Sequence, residues 1–120
     1  MQGDVMSKAT RFFDAFEKRI KLSIHTLAPA RVVKYNAEKH TADLQLLFLM
    51  NDGEYLHEYP LIEHAPVLKH VEPDIKVGSS VFVSFAERSL DNLDGNKTFD
   101  PDSRRTHSIN DPVVIGVWEG

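Results

Sequence analysis

The sequence predicts a mainly β domain: a small five-stranded barrel preceded by one α-helix. Short runs of β-forming residues follow one another from Pro29 to the C-terminus, separated by turn-forming residues. In the clearest runs apolar residues alternate with polar ones, as in a strand with one buried face. Only the first two dozen residues carry a helical period instead. The expected division is helix and linker over residues 1–27 and barrel over residues 28–120.

The helix is predicted over residues 4 to about 24. Val5, Ala9, Phe12, Phe16 and Ile20 recur at spacings of four, three, four and four, which places them on one stripe, and Phe13 widens it. Asp4 or Ser7 can cap the start, and Lys18, Arg19 and Lys21 suit the C-terminal end of the helix dipole. Such a stripe reads first as a helix docked on its own domain, and second as one packed against a neighbouring subunit.

Strand signals begin with Ala30 to Tyr35, and Asn36 to His40 reads as a polar turn. Thr41 to Met50 is predicted as one long strand with Ala42, Leu44, Leu46, Phe48 and Met50 facing inward. Its other face opens with Asp43 and Gln45 and continues with Leu47 and Leu49, so something beyond the strand's own core should cover that end. Asn51-Asp-Gly53 is a hairpin turn, because Asn and Gly tolerate positive φ. Glu54 to Tyr59 reads as a short strand. Leu61 to Leu68 is extended, with Pro66 barring it from a central ladder position. Val71 to Gly78 is a loop into Ser79 to Ala86, where Val81, Val83 and Phe85 alternate with Ser80, Phe82 and Ser84. Residues 87–110 are polar and loop-rich, and Pro112 to Trp118 is the last strand. Five strands in this order point to an OB-fold barrel.

Composition narrows the function. A chain of 120 residues is large enough for one core without covalent staples. There is no cysteine, hence no disulfide framework and no thiolate metal site. The formal net charge of −4 opposes nucleic-acid binding, which draws most of its affinity from neutralising phosphates. No apolar run approaches the roughly 20 residues that span a bilayer, and charges interrupt the N-terminus where a secretory signal would be apolar. The expectation is synthesis in a reducing cytoplasm, with no stable membrane insertion of this domain.

Candidate sites are few. His25, His40, His57, His64, His70 and His107 are scattered, with no helical i, i+4 pair and no His-x-His on one strand, so no metal is expected. Asp91 to Asp102 evokes a calcium loop, but aligning Gly95 with the turn glycine puts Leu90 and Pro101 where carboxylates belong. Nucleophile-elbow, zinc-hydrolase and phosphate-loop patterns are missing, so neither catalysis nor a cofactor is expected. Arg88, Arg104 and Arg105 lie among Asp91, Asp94, Asp100 and Asp102, an unfavourable setting for a phosphate-binding groove. Instead Glu87, Arg88, Arg105, His107 and Asp111 are expected to form a polar network fixing the long loop to the barrel, some of it reaching across a subunit boundary.

Four blocks together carry a family resemblance. They are His25-Thr-Leu-Ala-Pro-Ala-Arg-Val-Val-Lys-Tyr-Asn36, Thr41-Ala-Asp-Leu-Gln-Leu46, the run from Gly78 through Val81-Phe-Val-Ser-Phe-Ala-Glu-Arg-Ser-Leu-Asp91, and Arg105-Thr-His-Ser-Ile-Asn-Asp111. In order and spacing the set resembles the N-terminal OB domain of phage baseplate central spike proteins, over about three quarters of the chain. Ala30 stands where that family usually has Gly, a departure expected to alter only a local turn, and Pro112 replaces a small residue. The family continues into a β-helical needle with the piercing tip. This sequence ends at Gly120, so the needle is expected either to be missing from a shortened chain or to belong to another protein.

The resemblance implies a homotrimeric virion protein in the tail baseplate, assembled in the host cytoplasm. It would contact hub and tail proteins and support envelope penetration. Alternation selects Leu47, Leu49 and Phe82 as candidate subunit contacts, and the helix adds Phe13 and Phe16. The alternatives are a single-stranded nucleic-acid-binding module, and a tail adaptor or assembly protein of the same fold.

Overall fold

Helix α1 spans Gln2–Ser23 in the computed structural model, which describes residues 2–120, with side chains from Ser7 onward. The Asp4 and Val5 side chains, assigned above to the cap and the stripe, lie outside the described residues. Ser7 lies inside the helix and caps nothing, because the helix starts upstream of it. At the other end the Ser23 hydroxyl donates to the Ile20 carbonyl at 2.7 Å, and Lys21 pairs with Glu17 at 2.9 Å.

Strands β1 (Leu27–Asn36), β2 (Thr41–Leu46), β5 (Ile62–Pro66), β6 (Ser80–Phe85) and β7 (Pro112–Trp118) form one antiparallel sheet in the order β5-β2-β1-β6-β7. Strands β3 (Leu49–Asn51) and β4 (Leu56–Glu58) form a separate two-stranded ribbon. The ten-residue β1 organises the sheet. Its first half pairs with β6, from Leu27 opposite Ser84 to Arg31 opposite Ser80, and its second half pairs with β2 as far as Asn36 opposite Thr41.

Three bulges curl the sheet. The register slips between Val32 and Lys34 in β1, between Ala42 and Leu44 where β2 meets β5, and between Phe82 and Val83 where β6 meets β7. Each extra residue bends its strand and increases the local right-handed twist. At the β5 bulge His64 takes φ 60°, and its N–H, lost to the ladder, is donated to Asp43 Oδ1 at 3.0 Å. The curl brings the outer strands together. Val67, just past β5, forms a parallel bridge with Val114 of β7, and the Leu68 N–H donates to the Val114 carbonyl at 3.3 Å. The result is a curled half-barrel.

The concave side of the sheet is the core. It contains Ala28, Ala30 and Val32 of β1, Ala42, Leu44 and Leu46 of β2, Ile62 and Ala65 of β5, Val81, Val83 and Phe85 of β6, and Val114 of β7. Small residues along β1 suit the tight curvature there. Ala30 pairs with Leu46 on one side and Val81 on the other, so it belongs to the strand and not to a turn.

Val71 and Ile75 from the loop after β5 close one end. Glu72 pins that loop: its Oε1 accepts the Tyr35 hydroxyl at 2.8 Å and lies 2.7 Å from His40 Nδ1. The His40 hydrogen bond, then that of Tyr35, holds the Glu72 carboxyl below its ordinary range against the opposing effect of burial.

The long strand predicted from Thr41 to Met50 is corrected. The ladder stops at Leu46: Pro29, opposite Leu47 in this register, accepts the Leu47 N–H at 3.0 Å but has no N–H to return, and the chain bends at residues 47 and 48. Phe48 and Met50 therefore leave the core, and Phe48 is more than half exposed. Gln45, on the face opposite the inward set, is nonetheless buried and donates Nε2 to the Tyr59 carbonyl at 2.8 Å.

Candidate functional site

Two features stand out once the sheet is in place: a polar clamp on the long loop, and apolar side chains that the core does not cover.

The clamp centres on Asp111, whose side chain is 2% exposed at the start of β7. Arg105 grips it with both prongs, Nε to Oδ2 at 2.6 Å and Nη2 to Oδ1 at 2.7 Å, and also reaches Asp91 Oδ1 at 3.0 Å. Such a planar fork is matched to a carboxylate. Asp111 Oδ1 further accepts the Leu90 N–H at 3.2 Å, and the Asp111 carbonyl accepts the Ala86 N–H at 2.8 Å. Burial by itself would raise the Asp111 carboxyl. The Arg105 hydrogen bonds, the Leu90 N–H and the guanidinium charge outweigh it and leave the group below its ordinary value. Arg105 is held more firmly protonated, first by Asp111 and then by Asp91.

The other members of the predicted network take different parts. Arg88 Nη2 donates to the Ser103 carbonyl at 2.7 Å, tying the two arms of the loop. His107 acts through its backbone at φ 45°: its N–H donates to the Ala86 carbonyl at 3.0 Å, and its carbonyl accepts the His25 N–H at 3.0 Å. That last bond fastens the linker between α1 and β1 to the loop. Glu87 contributes only its carbonyl, to the His107 N–H at 3.3 Å, and is exposed. Beside the clamp a cleft of about 300 Å³ is lined by Glu63, His64, Leu90, Asp91 and Asn110 among others. With the Arg105 fork and both Asp111 oxygens already engaged, the cluster is arranged to hold loop segments together.

The apolar candidates lie in three places. Phe13 and Phe16 are on α1 with Phe12, whose ring stacks on that of Phe16 at 6.3 Å. Every described side chain of α1 is exposed. The radius of gyration is 18.2 Å, against about 14 Å for a compact domain of this length. Leu47 and Leu49 lie at the bend and on β3, in the same part of the chain as exposed Phe48, Tyr55, Leu56 and Leu61. Phe82 is elsewhere, half-buried on β6 with its ring 5.8 Å from that of Trp118 on β7. Sequence reasoning passed over Phe48, Leu56 and Trp118. Alternation assigned Phe48 to the core, and the Glu54–Tyr59 segment is too short to show a buried face.

The turn joining β3 to β4 is built by Asp52. Its Oδ1 accepts the N–H groups of Tyr55 at 2.9 Å and Glu54 at 3.0 Å, and its Oδ2 lies 2.8 Å from His57 Nε2. Gly53 supplies the positive φ of 98°. The Tyr55 and Glu54 N–H bonds, then His57, pull the Asp52 carboxyl down to about 2. A depressed carboxyl stabilises the fold fully above its unfolded value, and that contribution is lost as pH falls through the folded one. The ribbon turn is therefore expected to loosen between about pH 4 and pH 2. An NMR titration of the Gly53, Glu54 and Tyr55 amides checks this, and Asp52→Asn should remove that step.

Among the described residues, no helix is long and apolar enough to cross a membrane, and no group of three or more His, Asp or Glu side chains is placed to hold a metal ion. Neither protein-family models nor curated proteins match the chain.

Proposed function

We propose that this chain is a structural subunit of a phage tail baseplate: the OB-fold barrel of a homotrimeric central spike, joining the spike to the tail hub. In this role the curled sheet is a partly open OB barrel. Its first strand is shared between two neighbours, and the Val67–Val114 bridge is the contact along which the barrel closes. The function is mechanical. Three stiff barrels form a plug at the tail tip that carries load to the host envelope.

The observation that carries the proposal is the uncovered apolar surface. Phe12, Phe13 and Phe16 on α1, and Phe48, Leu49 and Leu56 around the ribbon, are all more than half exposed. Surfaces of this kind are covered in closed oligomers. The order of the four sequence blocks supplies the tail context. The Arg105–Asp111–Asp91 clamp gives the long loop the rigidity that a load-bearing part needs.

Mass spectrometry of purified tail particles tests the assignment. It should find the chain in the baseplate fraction at three copies per particle, and its absence from particles would assign it to assembly instead. Titration with single-stranded oligonucleotides should show no salt-dependent binding. A slope that scales with phosphates contacted would favour a nucleic-acid module.

A further inference from the structure

Two surfaces of this chain lack cover, and they are complementary. Residues 7–23 of α1 carry five basic side chains (Lys8, Arg11, Lys18, Arg19, Lys21) against two acidic ones (Asp14, Glu17), a net of +3. Residues 47–61, the ribbon and its flanks, carry three acidic side chains (Asp52, Glu54, Glu58) and no Lys or Arg, a net of −3. Each also displays large apolar groups: Phe12 and Phe13 at 65% and Phe16 at 54% exposed on the helix, Leu56 at 65% on the ribbon.

Neither element is well supported alone. An amphipathic helix takes most of its stability from packing its apolar face. A lone two-stranded hairpin is marginal in water unless further strands or a helix pack on it.

We infer that α1 of one copy packs across the β3–β4 ribbon of the next, so that the subunit contact is head-to-tail and closes as a ring. This rests on the proposal above that the chain assembles as a trimer, and it specifies which surfaces meet. A groove of about 620 Å³ lies at the ribbon, lined by Leu49, Met50, His57 and Tyr59 and, from the end of the same chain's helix, by Lys18 and Leu22. A chain's own helix thus reaches this groove only near its C-terminal end. Phe12, Phe13 and Phe16 lie further up the helix and do not line it, which leaves the groove open to the aromatic half of a neighbour's α1.

The sizes agree. A Phe side chain buries about 150–250 Å², so three rings exposed by 54–65% offer roughly 350 Å². With Ile20 and the aliphatic stems of the basic residues added, one contact approaches the roughly 800 Å² per partner of an ordinary interface. A heterologous contact of this kind generates a ring where its rotation closes.

Complementation of two defective variants tests the inference. Phe12→Asp with Phe16→Asp spoils the helix and leaves the ribbon intact; Leu49→Asp with Leu56→Asp does the reverse. All four side chains are more than half exposed, so folding should survive, and circular dichroism melts confirm it. By light scattering, wild type is expected at three times the 13.6 kDa chain mass and each variant alone at one chain mass. Mixed one to one, the variants should form a heterodimer, because one sound helix then meets one sound ribbon. High salt should weaken that complex by screening the opposed charges.

Variants that stay monomeric when mixed would overturn the inference. Loss of the trimer in the helix variant alone would show helices packing on one another. A trimer that survives both variants would place the contact elsewhere while leaving the trimeric proposal standing. A monomeric wild type would remove both; if it floated with phosphatidylglycerol vesicles through Phe12 and Phe16, α1 would be a membrane-surface helix instead.

Discussion

Leu44→Ala is expected to lower the unfolding free energy by about 3–4 kcal/mol, within the range for emptying a fully buried leucine site. Leu44 is completely buried in β2, paired with Val32 of β1 on one side and Ile62 of β5 on the other. Several core neighbours are alanines (Ala28, Ala30, Ala42 and Ala65), with no flexible side chain to lean into the space. The ladders on both sides also hold the backbone apart, so the cavity stays open and its cost adds to the lost transfer energy. Urea unfolding should show a lower midpoint with an unchanged slope. Leu56→Ala is the control: Leu56 is exposed in a single chain, and its loss should change monomer stability by less than about 0.5 kcal/mol. A loss below about 1 kcal/mol at Leu44 would mean that the core is not centred on β2.

Asp111→Ala is expected to cost about 2–3 kcal/mol, concentrated in the loop from Ala86 to Asn110. The substitution frees the Arg105 fork from its principal partner and leaves the Leu90 N–H without its acceptor. The Arg105 side chain is 31% exposed, so water softens the loss, and a value above the fully buried range is not expected. Asp111→Asn should cost less, since an amide oxygen can still accept from Leu90 while the charge is gone.

The pH dependence follows from the depressed Asp111 carboxyl. Its stabilisation is complete above the ordinary value of 3.8 and is lost as pH falls through the lower folded value. Acid should therefore open the loop in wild type below about pH 4, and the Asn variant should lack that component. Amide hydrogen exchange at Ala86, Leu90 and His107 reports it residue by residue.

What sequence could reveal tracks which interactions are local. The last strand, Pro112–Trp118, was legible to the residue, because a polar loop gives way abruptly to an apolar run. Val81, Val83 and Phe85 face the core as alternation requires, and Asn51-Asp-Gly53 turns between β3 and β4. The end of β2 was not legible. The pattern from Leu44 to Met50 continues unbroken, but the residue opposite Leu47 is Pro29, eighteen positions away in sequence, which accepts the Leu47 N–H and has no N–H to return. Gln45 shows the same limit, since its burial depends on the distant Tyr59 carbonyl. The α1 stripe revealed a helix without revealing what covers it. In the clamp, residue type singled out Arg105 and Asp111, whereas His107 and Glu87 contribute backbone groups that no side-chain chemistry announces.

The three bulges and the partial closure at Val67 and Val114 explain why one sheet can act as a stiff body. In the proposed role, load applied at the curled sheet would pass through paired backbone, with the Arg105–Asp111 clamp and the Glu72 pin restraining the two long loops. In the proposed role such a part is useful only as a closed set of copies, so that role depends on self-assembly. Sedimentation equilibrium of the purified chain, at concentrations on the order of tens of micromolar, tests it most directly. A trimeric subunit predicts a single species of three times the 13.6 kDa chain mass, and a species that remains at 13.6 kDa across the range would contradict it.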